Sequence, residues 1–192
     1  LNDGKVGPDG AFWVGSMDGR AAREPIAVLY RVDASGTATR VSQGFAISNG
    51  LAWSPDDAVM YHSDSRGPWI DRYDFDAVTG TATNRTRLVN LNETIGRPDG
   101  GACDAQGDYW SAGVSAGVLN RFAPDGELRE SFAVPVPAPT MPCFCGPDLR
   151  QIAVTTHRQI AEAALVAAPQ SGGVFLAESP VQGAPVARMK GL

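Results

Sequence analysis

A turn followed by a short apolar strand recurs four times along the 192 residues of the chain. Pro8-Asp9-Gly10 comes before the strand around Trp13, and similar turns come before Tyr61, Trp110 and Val154. From Trp13 onward, these strand centres are separated by 48, 49 and 44 residues. Repeats of about 40 to 50 residues, each built from short strands, are typical of the blades of a β-propeller.

Each repeat contains a second strand, and a more polar third strand follows, as at Ala38–Val41 and Leu128–Phe132. The second strands are predicted at Leu29–Asp33, Ile70–Asp74, Val118–Phe122 and Gly173–Ala177. A single blade cannot cover both of its faces, so blades stack radially and bury each other's sides. We therefore predict an all-β fold with about four propeller blades, and a β-sandwich with coincidental spacing is the alternative.

The chain contains 22 glycines and 14 prolines, which suits many short strands separated by turns. One Ala-rich stretch, Gln159–Ala167, predicts a short helix inserted into the last repeat. No linker or low-complexity tract divides the sequence. Residues 1–192 are therefore expected to form a single domain.

The charge balance excludes some partners. The 21 acidic and 16 basic residues give a net charge of −5, which argues against nucleic acid because its phosphates require a basic surface. No apolar run approaches the ~20 residues of a membrane span.

The sequence contains three cysteines, Cys103, Cys143 and Cys145. An odd number does not form a disulfide framework, and these cysteines lack the partners that would complete a metal site. We expect them to be reduced, buried or half-buried thiols, which suits a cytoplasmic protein.

Oxygen-bearing side chains recur in the segments that lead into the predicted innermost strands. In a propeller the innermost strand of each blade lines the axis, so a site is built from one residue per blade. Asn2, Asn49 and Asp99 occupy this position in three repeats, each followed by Gly within two places, whereas the fourth has Pro139–Pro142. Such side chains suit Ca²⁺, Mg²⁺, Mn²⁺ or an oxygen-rich Zn²⁺ site. The alternative is that these Asn-Gly and Asp-Gly pairs are ordinary turn dipeptides.

Other residue types favour structural roles. A histidine-based triad is disfavoured, because no nucleophile motif adjoins His62. The tryptophans are predicted in core strands, with a pocket wall as the alternative for Trp110. Arg31, Arg72 and Arg121 recur on the second strands and are predicted to form a structural or solvated row.

Several of these segments resemble the regucalcin and gluconolactonase family of six-bladed propeller lactonases, also called the SMP-30 family. The matching stretches are Asn2–Val6, Gly10–Asp18, Ser48–Asp56, Ile70–Asp76, Arg97–Gly100, Pro135–Thr140 and Gly146–Arg150. The resemblance covers essentially the whole chain. It implies that the chain holds the last four of six blades and ends where the family's C-terminus ends.

The resemblance also implies an activity and a site. Members of the family bind one divalent cation on the propeller axis and hydrolyse sugar lactones or other lactones. By this resemblance Asn49 is a metal ligand, Asp99 is both a metal ligand and the catalytic acid and base, and Asn2 contacts the substrate. The implied cofactor is Ca²⁺ or Zn²⁺, with Mg²⁺ and Mn²⁺ as alternatives, and the implied partner is a small-molecule lactone.

Some positions depart from the family pattern. The family's third protein metal ligand, a Glu, and a substrate-binding Arg both fall before Leu1. Gly7 stands where the family usually has Asp, and Gly19 and Arg20 stand where some members have an acidic substrate contact. We therefore expect the 192-residue chain alone to be inactive, and to aggregate or bind metal weakly. Two other functions stay open: a propeller that binds calcium or a ligand without turnover, and a related propeller esterase.

Overall fold

The computed structural model describes residues 1–158 and 161–190, and within them forms fifteen strands and one short helix. The first sheet contains β1 (Gly4–Val6), β2 (Phe12–Gly15), β3 (Ala27–Val32) and β4 (Ala38–Phe45). The second contains β5 (Ser48–Trp53), β6 (Val59–Asp64), β7 (Trp69–Asp76) and β8 (Thr81–Asn90). The third contains β9 (Pro98–Cys103), β10 (Tyr109–Gly113), β11 (Val118–Phe122) and β12 (Leu128–Ala133). The fourth contains β13 (Pro139–Cys145), β14 (Gln151–Thr156) and β15 (Val174–Glu178).

Each sheet is an antiparallel meander in which strands lie side by side in chain order, which is the topology of a propeller blade. The predicted all-β propeller with four blades is confirmed, and the β-sandwich alternative is wrong. The helix α1 (Glu162–Ala167) lies between β14 and β15, as predicted for the last repeat. Gln159 and Ile160, the first two residues of the predicted helix, lie outside the described residues.

In the second and third blades, burial decreases from the first strand to the last. Every residue of β5 is buried, and so is nearly every residue of β9. The fourth strands β8 and β12 are mostly exposed and carry polar side chains. The first strand of each blade is therefore the inner strand at the axis, and the fourth lies at the perimeter.

Apolar side chains fill the spaces between neighbouring blades. Trp13 of the first blade meets Trp53 of the second edge to face, with ring centroids 5.8 Å apart. Tyr61 of the second blade stacks on Tyr109 of the third at 4.9 Å. Trp110 continues this pattern towards the fourth blade in a third apolar cluster. Burial between blades thus holds the four sheets in a radial arrangement.

A buried carboxylate, tryptophan and arginine recur in the first and third blades. In the third, Asp104 Oδ2 accepts hydrogen bonds from Trp110 Nε1 at 2.9 Å and from Arg121 Nε at 3.0 Å. In the first, Asp9 accepts from Trp13 and from Arg31 in the same way. The arginines predicted as a structural row therefore include two buried ion pairs. Trp110 is buried inside the fold, so its alternative role as a pocket wall is wrong.

The end of the chain crosses the side of the propeller where the inner strands end. We call Val181–Lys190 the C-terminal strap. The Ala184 amide donates to the carbonyl of Cys103 at 3.0 Å, and the Lys190 amide donates to the carbonyl of Gly10 at 3.0 Å. The strap thus connects the third blade to the first.

The three cysteines are free thiols, and Cys103 is buried while Cys145 is half-buried. Cys143 is exposed, contrary to expectation. It lies on the face of β13 opposite to Phe144, which packs towards the third blade.

Among the described residues, no helix has the length and apolar character that crossing a membrane requires.

Candidate metal and active site

Three inner strands contain an extra residue near their beginning. Asn49 lies opposite Ser63 and Ala52 lies opposite Tyr61, so β5 advances three residues while β6 advances two. Register shifts of the same kind occur in β9 between Pro98 and Gly101 and in β13 between Pro139 and Met141. Such β-bulges redirect side chains and are common beside active sites. The bulges in β5 and β9 contain or adjoin the candidate ligands of those blades.

The glycine after each candidate ligand has a packing role. Gly50 has a φ of +66°, and a Cβ at this position would overlap the hydroxyl of Tyr109 and lie 3.2 Å from the carbonyl oxygen of Asp99. Asn49-Gly50 lies within β5 and Asp99-Gly100 lies within β9. The interpretation of these pairs as turn dipeptides is therefore wrong, and the glycines allow close approach of neighbouring inner strands.

Asn2 and Asn49 are in direct contact. Asn2 Nδ2 donates to Asn49 Oδ1 at 3.0 Å and to the carbonyl oxygen of Ser48 at 2.9 Å. Asn49 Nδ2 in turn donates to Ser65 Oγ at 2.7 Å. Asn49 is buried and Asn2 is exposed. These bonds fix the orientation of the Asn49 amide, with its oxygen towards the first blade.

Asp99 lies at the same end of the neighbouring inner strand. Ser65 Oγ, which holds Asn49, also donates to the carbonyl oxygen of Pro98 at 2.5 Å. Within the part of the chain that the structure describes, no hydrogen bond reaches the half-buried Asp99 carboxylate. Burial raises the pKa of Asp99 to about 7, and the nearby Asp3 carboxylate adds to this rise. We call this end of the inner strands the upper end of the axis.

Two further ionisable groups, Asp3 and Lys5, line the axis. Asp3 Oδ2 accepts a hydrogen bond from the Leu51 amide at 3.1 Å, yet burial raises the pKa of Asp3. Lys5 Nζ donates to the carbonyl oxygen of Gly101 at 2.5 Å, and burial lowers the pKa of Lys5. The axis therefore carries two carboxylates at its upper end and an ammonium group lower down.

The oxygen atoms of Asn49 and Asp99 fit part of the coordination shell of a hard cation. Among the described residues no donor reaches the Asp99 carboxylate, which repels that of Asp3, so a divalent ion there would relieve unfavourable charge. Asn49 contributes an oriented amide oxygen. Residues 1–158 and 161–190 contain no group of three or more His, Cys, Asp or Glu arranged to hold a metal ion. Asn49 and Asp99 are therefore the two candidate oxygen ligands from the sequence analysis that the structure brings to the same end of neighbouring inner strands.

Sequence reasoning missed Asp3, which directly follows Asn2, and Ser65. A signal for Ser65 existed, because Ser115 lies 50 residues later, the same spacing as between Asn49 and Asp99. Ser115 Oγ accepts a hydrogen bond from the Arg97 amide at 2.9 Å.

A serine and a histidine lie in contact beneath the site. Ser48 Oγ is 2.6 Å from His62 Nε2, and both side chains are fully buried. His62 Nδ1 has no hydrogen-bond partner among the described residues, so no carboxylate orients the ring as in a triad. Burial and the nearby Arg85 lower the pKa of His62 to about 3. This neutral, inaccessible pair supports the inner strands and offers no nucleophile to a substrate.

Comparison with known proteins identifies the family. The SMP-30/Gluconolactonase/LRE-like region matches residues 1–158. The chain belongs to this family. It is 38% identical over 184 residues to a 6-deoxy-6-sulfogluconolactonase of Pseudomonas putida, covering 95% of this chain and 63% of that protein. It is 34% identical over 183 residues to regucalcin of Xenopus laevis, covering 91% of this chain and 60% of the relative.

Solved structures agree with this family assignment. A calcium-binding regucalcin from Agrobacterium tumefaciens superposes with a TM-score of 0.89 at 32% identity, covering 98% of this chain and 63% of that one. A luciferin-regenerating enzyme superposes with a TM-score of 0.87 at 29% identity, covering 98% of this chain and 64% of that one. The chain thus spans roughly three-fifths of the length of these family members.

Proposed function

We propose that the protein hydrolyses a sugar-type lactone with the help of one divalent cation. The observation that carries the proposal is the convergence of Asn2, Asn49 and Asp99 at the upper ends of three neighbouring inner strands. The lactonase names of relatives from Pseudomonas putida and Rhizobium meliloti support the reaction class. The calcium-binding regucalcin supports a divalent cation, with Ca²⁺ or Zn²⁺ as first choices and Mg²⁺ or Mn²⁺ as alternatives.

Asn49 Oδ1 and the Asp99 carboxylate would hold the cation. When bound there, the cation would supply a Lewis acid for the lactone carbonyl and for the negative charge that develops on its oxygen. Asn49 reaches the axis because Ser65 holds its amide nitrogen, which leaves the amide oxygen for the ligand role. Asn2 is exposed beside Asn49, and because both of its N–H groups already donate within the protein, its amide oxygen is placed to accept a hydrogen bond from a substrate hydroxyl group.

Asp99 supplies the proton transfers. Its carboxylate accepts a proton from the water that attacks the carbonyl carbon, while a bond forms between the water oxygen and that carbon. As the bond from the carbonyl carbon to the ring oxygen breaks, Asp99 returns the proton to the ring oxygen. The product is a hydroxy acid, and Asp99 is regenerated. Asp99 lacks donors from the described residues, so its oxygens are available for both roles.

The test uses protein expressed from its full coding sequence and an acid-release assay with D-glucono-1,5-lactone, with each cation added separately. We expect turnover that EDTA abolishes and that Ca²⁺ or Zn²⁺ restores. Asp99→Ala should lose both turnover and cation binding, whereas Cys145→Ala should leave both nearly unchanged. Retention of activity in Asp99→Ala would overturn the proposal.

A propeller that binds calcium without turnover is the second candidate, supported by the calcium-binding regucalcin. It predicts cation binding that Asp99→Ala abolishes, without hydrolysis of any lactone or simple ester. Hydrolysis of esters but not lactones would instead indicate the propeller esterase. The 192-residue chain supplies two of the predicted ligands, so we expect it to bind the cation weakly and to be inactive when expressed alone.

A further inference from the structure

A cavity lies at the opposite end of the inner strands from Asn2, Asn49 and Asp99. It has a volume of about 300 Å³ and lies between the lower ends of β1, β5 and β9 and the C-terminal strap. Its apolar walls include Val6, Ala52, Trp53, Phe144, Pro185 and Val186. The candidate cation ligands do not line it. A cavity of this size is at the small end of the range for small-molecule sites.

Lys5 places a positive charge in this cavity. One of its three N–H groups donates to the carbonyl oxygen of Gly101 at 2.5 Å. No carboxylate of the described residues lies within ion-pair distance of the Lys5 ammonium, which leaves two donors for a ligand. The sequence contains only one other lysine, Lys190, and fourteen arginines.

The indole of Trp53 lines the same wall. Its Nε1–H has no acceptor within residues 1–158 and 161–190 and is closed off from solvent, so the cavity meets the hydrocarbon part of the ring. Lys5 is therefore the side chain that indicates a ligand with oxygen acceptors, and Trp53 contributes apolar surface beside it.

The surroundings limit the charge of such a ligand. Asp57 is exposed and lines the same cavity, so a second negative charge on the ligand would be repelled there. The remaining walls are mainly apolar, so they favour a hydrocarbon or aromatic body. The strap covers the cavity through the hydrogen bond from Ala184 to Cys103.

We propose that this lower cavity is a second ligand site, which binds a small monocarboxylate with an apolar body. The carboxylate accepts hydrogen bonds from the Lys5 ammonium. The apolar body packs against Phe144 and the strap residues Pro185 and Val186. This site does not depend on the lactonase proposal, because it shares no residue with the candidate cation ligands.

The test is isothermal titration with hexanoate of the protein expressed from its full coding sequence. The buffer contains EDTA, so that the carboxylate cannot bind a cation at the upper end. Hexanamide is the neutral probe of matched shape, and adipate is the dicarboxylate probe. We expect hexanoate to bind at least tenfold more tightly than either. Lys5→Met should weaken hexanoate binding at least tenfold, and Lys190→Met should not change it.

A second variant tests the proposal even if Lys5→Met does not fold. Val186 is 56% exposed on the strap, so Val186→Phe should be tolerated and should partly fill the cavity. It should weaken hexanoate binding while keeping the contact between Lys5 and Gly101. Equal binding of hexanoate and hexanamide would overturn the proposal. Unchanged hexanoate binding in both Lys5→Met and Val186→Phe would also overturn it. So would loss of hexanoate binding in Asp99→Asn, or the absence of hexanoate binding at millimolar concentrations.

Discussion

Asn2 and Asn49, from neighbouring blades, share a 3.0 Å hydrogen bond in which the amide nitrogen of Asn2 donates to the amide oxygen of Asn49. The acceptor is the same oxygen that we propose as a cation ligand. The other end of the Asn49 amide is held by Ser65. Asn49 is thus oriented from both sides by residues of its own and the preceding blade, and this arrangement ranks the effects of substitutions at the two asparagines.

Asn49→Ala should lower cation affinity more than Asn2→Ala. The first substitution removes a ligand oxygen, whereas the second removes a residue that orients it. Loss of such an orienting contact costs about tenfold or more in metal affinity, and loss of the ligand should cost more. Calcium titration of both variants checks the order. Asn90 is exposed at the end of β8, so Asn90→Ala is the control for loss of an asparagine away from the site. A larger loss in Asn2→Ala would show that Asn49 is not a ligand.

Gly50→Ala should destabilise the protein by about 3 kcal/mol, from left-handed backbone strain together with overpacking. The new methyl group would overlap the hydroxyl of Tyr109, which donates to the Gly50 carbonyl at 2.8 Å. Gly36 also has a positive φ, +82°, but open space around its Cβ position. Gly36→Ala should therefore cost only about 1 kcal/mol. Urea unfolding measures the free energy of unfolding of both variants. Equal losses of stability would show that packing around Gly50 contributes nothing.

The blades and the candidate ligands could be predicted from the sequence because they repeat. Each blade contains the same kind of turn followed by its second strand, so the spacing around Trp13, Tyr61 and Trp110 indicates the fold. The same periodicity places Asn49 and Asp99 at the beginning of their inner strands, where the structure has them. Their roles in cation binding and catalysis stay predictions.

Features that arise between blades could not be predicted in this way. The bulge at Gly50 depends on the close approach of Tyr109 from the next blade. The contact between Ser48 and His62 depends on strand register, and the lower cavity depends on a strap that returns from the far end of the chain. These relationships join residues far apart in the sequence, and no local pattern encodes them.

Asp104→Ala should destabilise the protein by about 3 to 5 kcal/mol, because it leaves the buried guanidinium of Arg121 with one fewer partner and the indole N–H of Trp110 with none. The Asp104 carboxylate is fully buried and accepts from both groups. Asp125, also in a turn between strands, is exposed, and within the described part of the chain its carboxylate accepts a hydrogen bond only from the Glu127 amide, at 3.1 Å. Asp125→Ala should cost less than about 1 kcal/mol. Similar values from thermal unfolding of both variants would contradict the role assigned to Asp104.

The stability of the protein should decrease as pH falls from about 6.5 towards 3, in part because of His62. Burial, with a contribution from Arg85, lowers the pKa of this imidazole from 6.5 to about 3 in the folded protein. Between these values the unfolded chain binds a proton that the folded chain does not bind. Protonation therefore favours unfolding, by about 1.4 kcal/mol for each pH unit in that window.

His62→Gln removes this titration and keeps a polar partner for Ser48. Its free energy of unfolding should be lower than that of the wild type at pH 7, and the difference should shrink as pH falls to 4. Urea unfolding at pH 7, 6, 5 and 4 measures the difference. The exposed His157 gives the matched control, His157→Gln, for loss of a histidine elsewhere. A constant difference between wild type and His62→Gln across the series would show that His62 does not titrate between the folded and unfolded states as its burial requires.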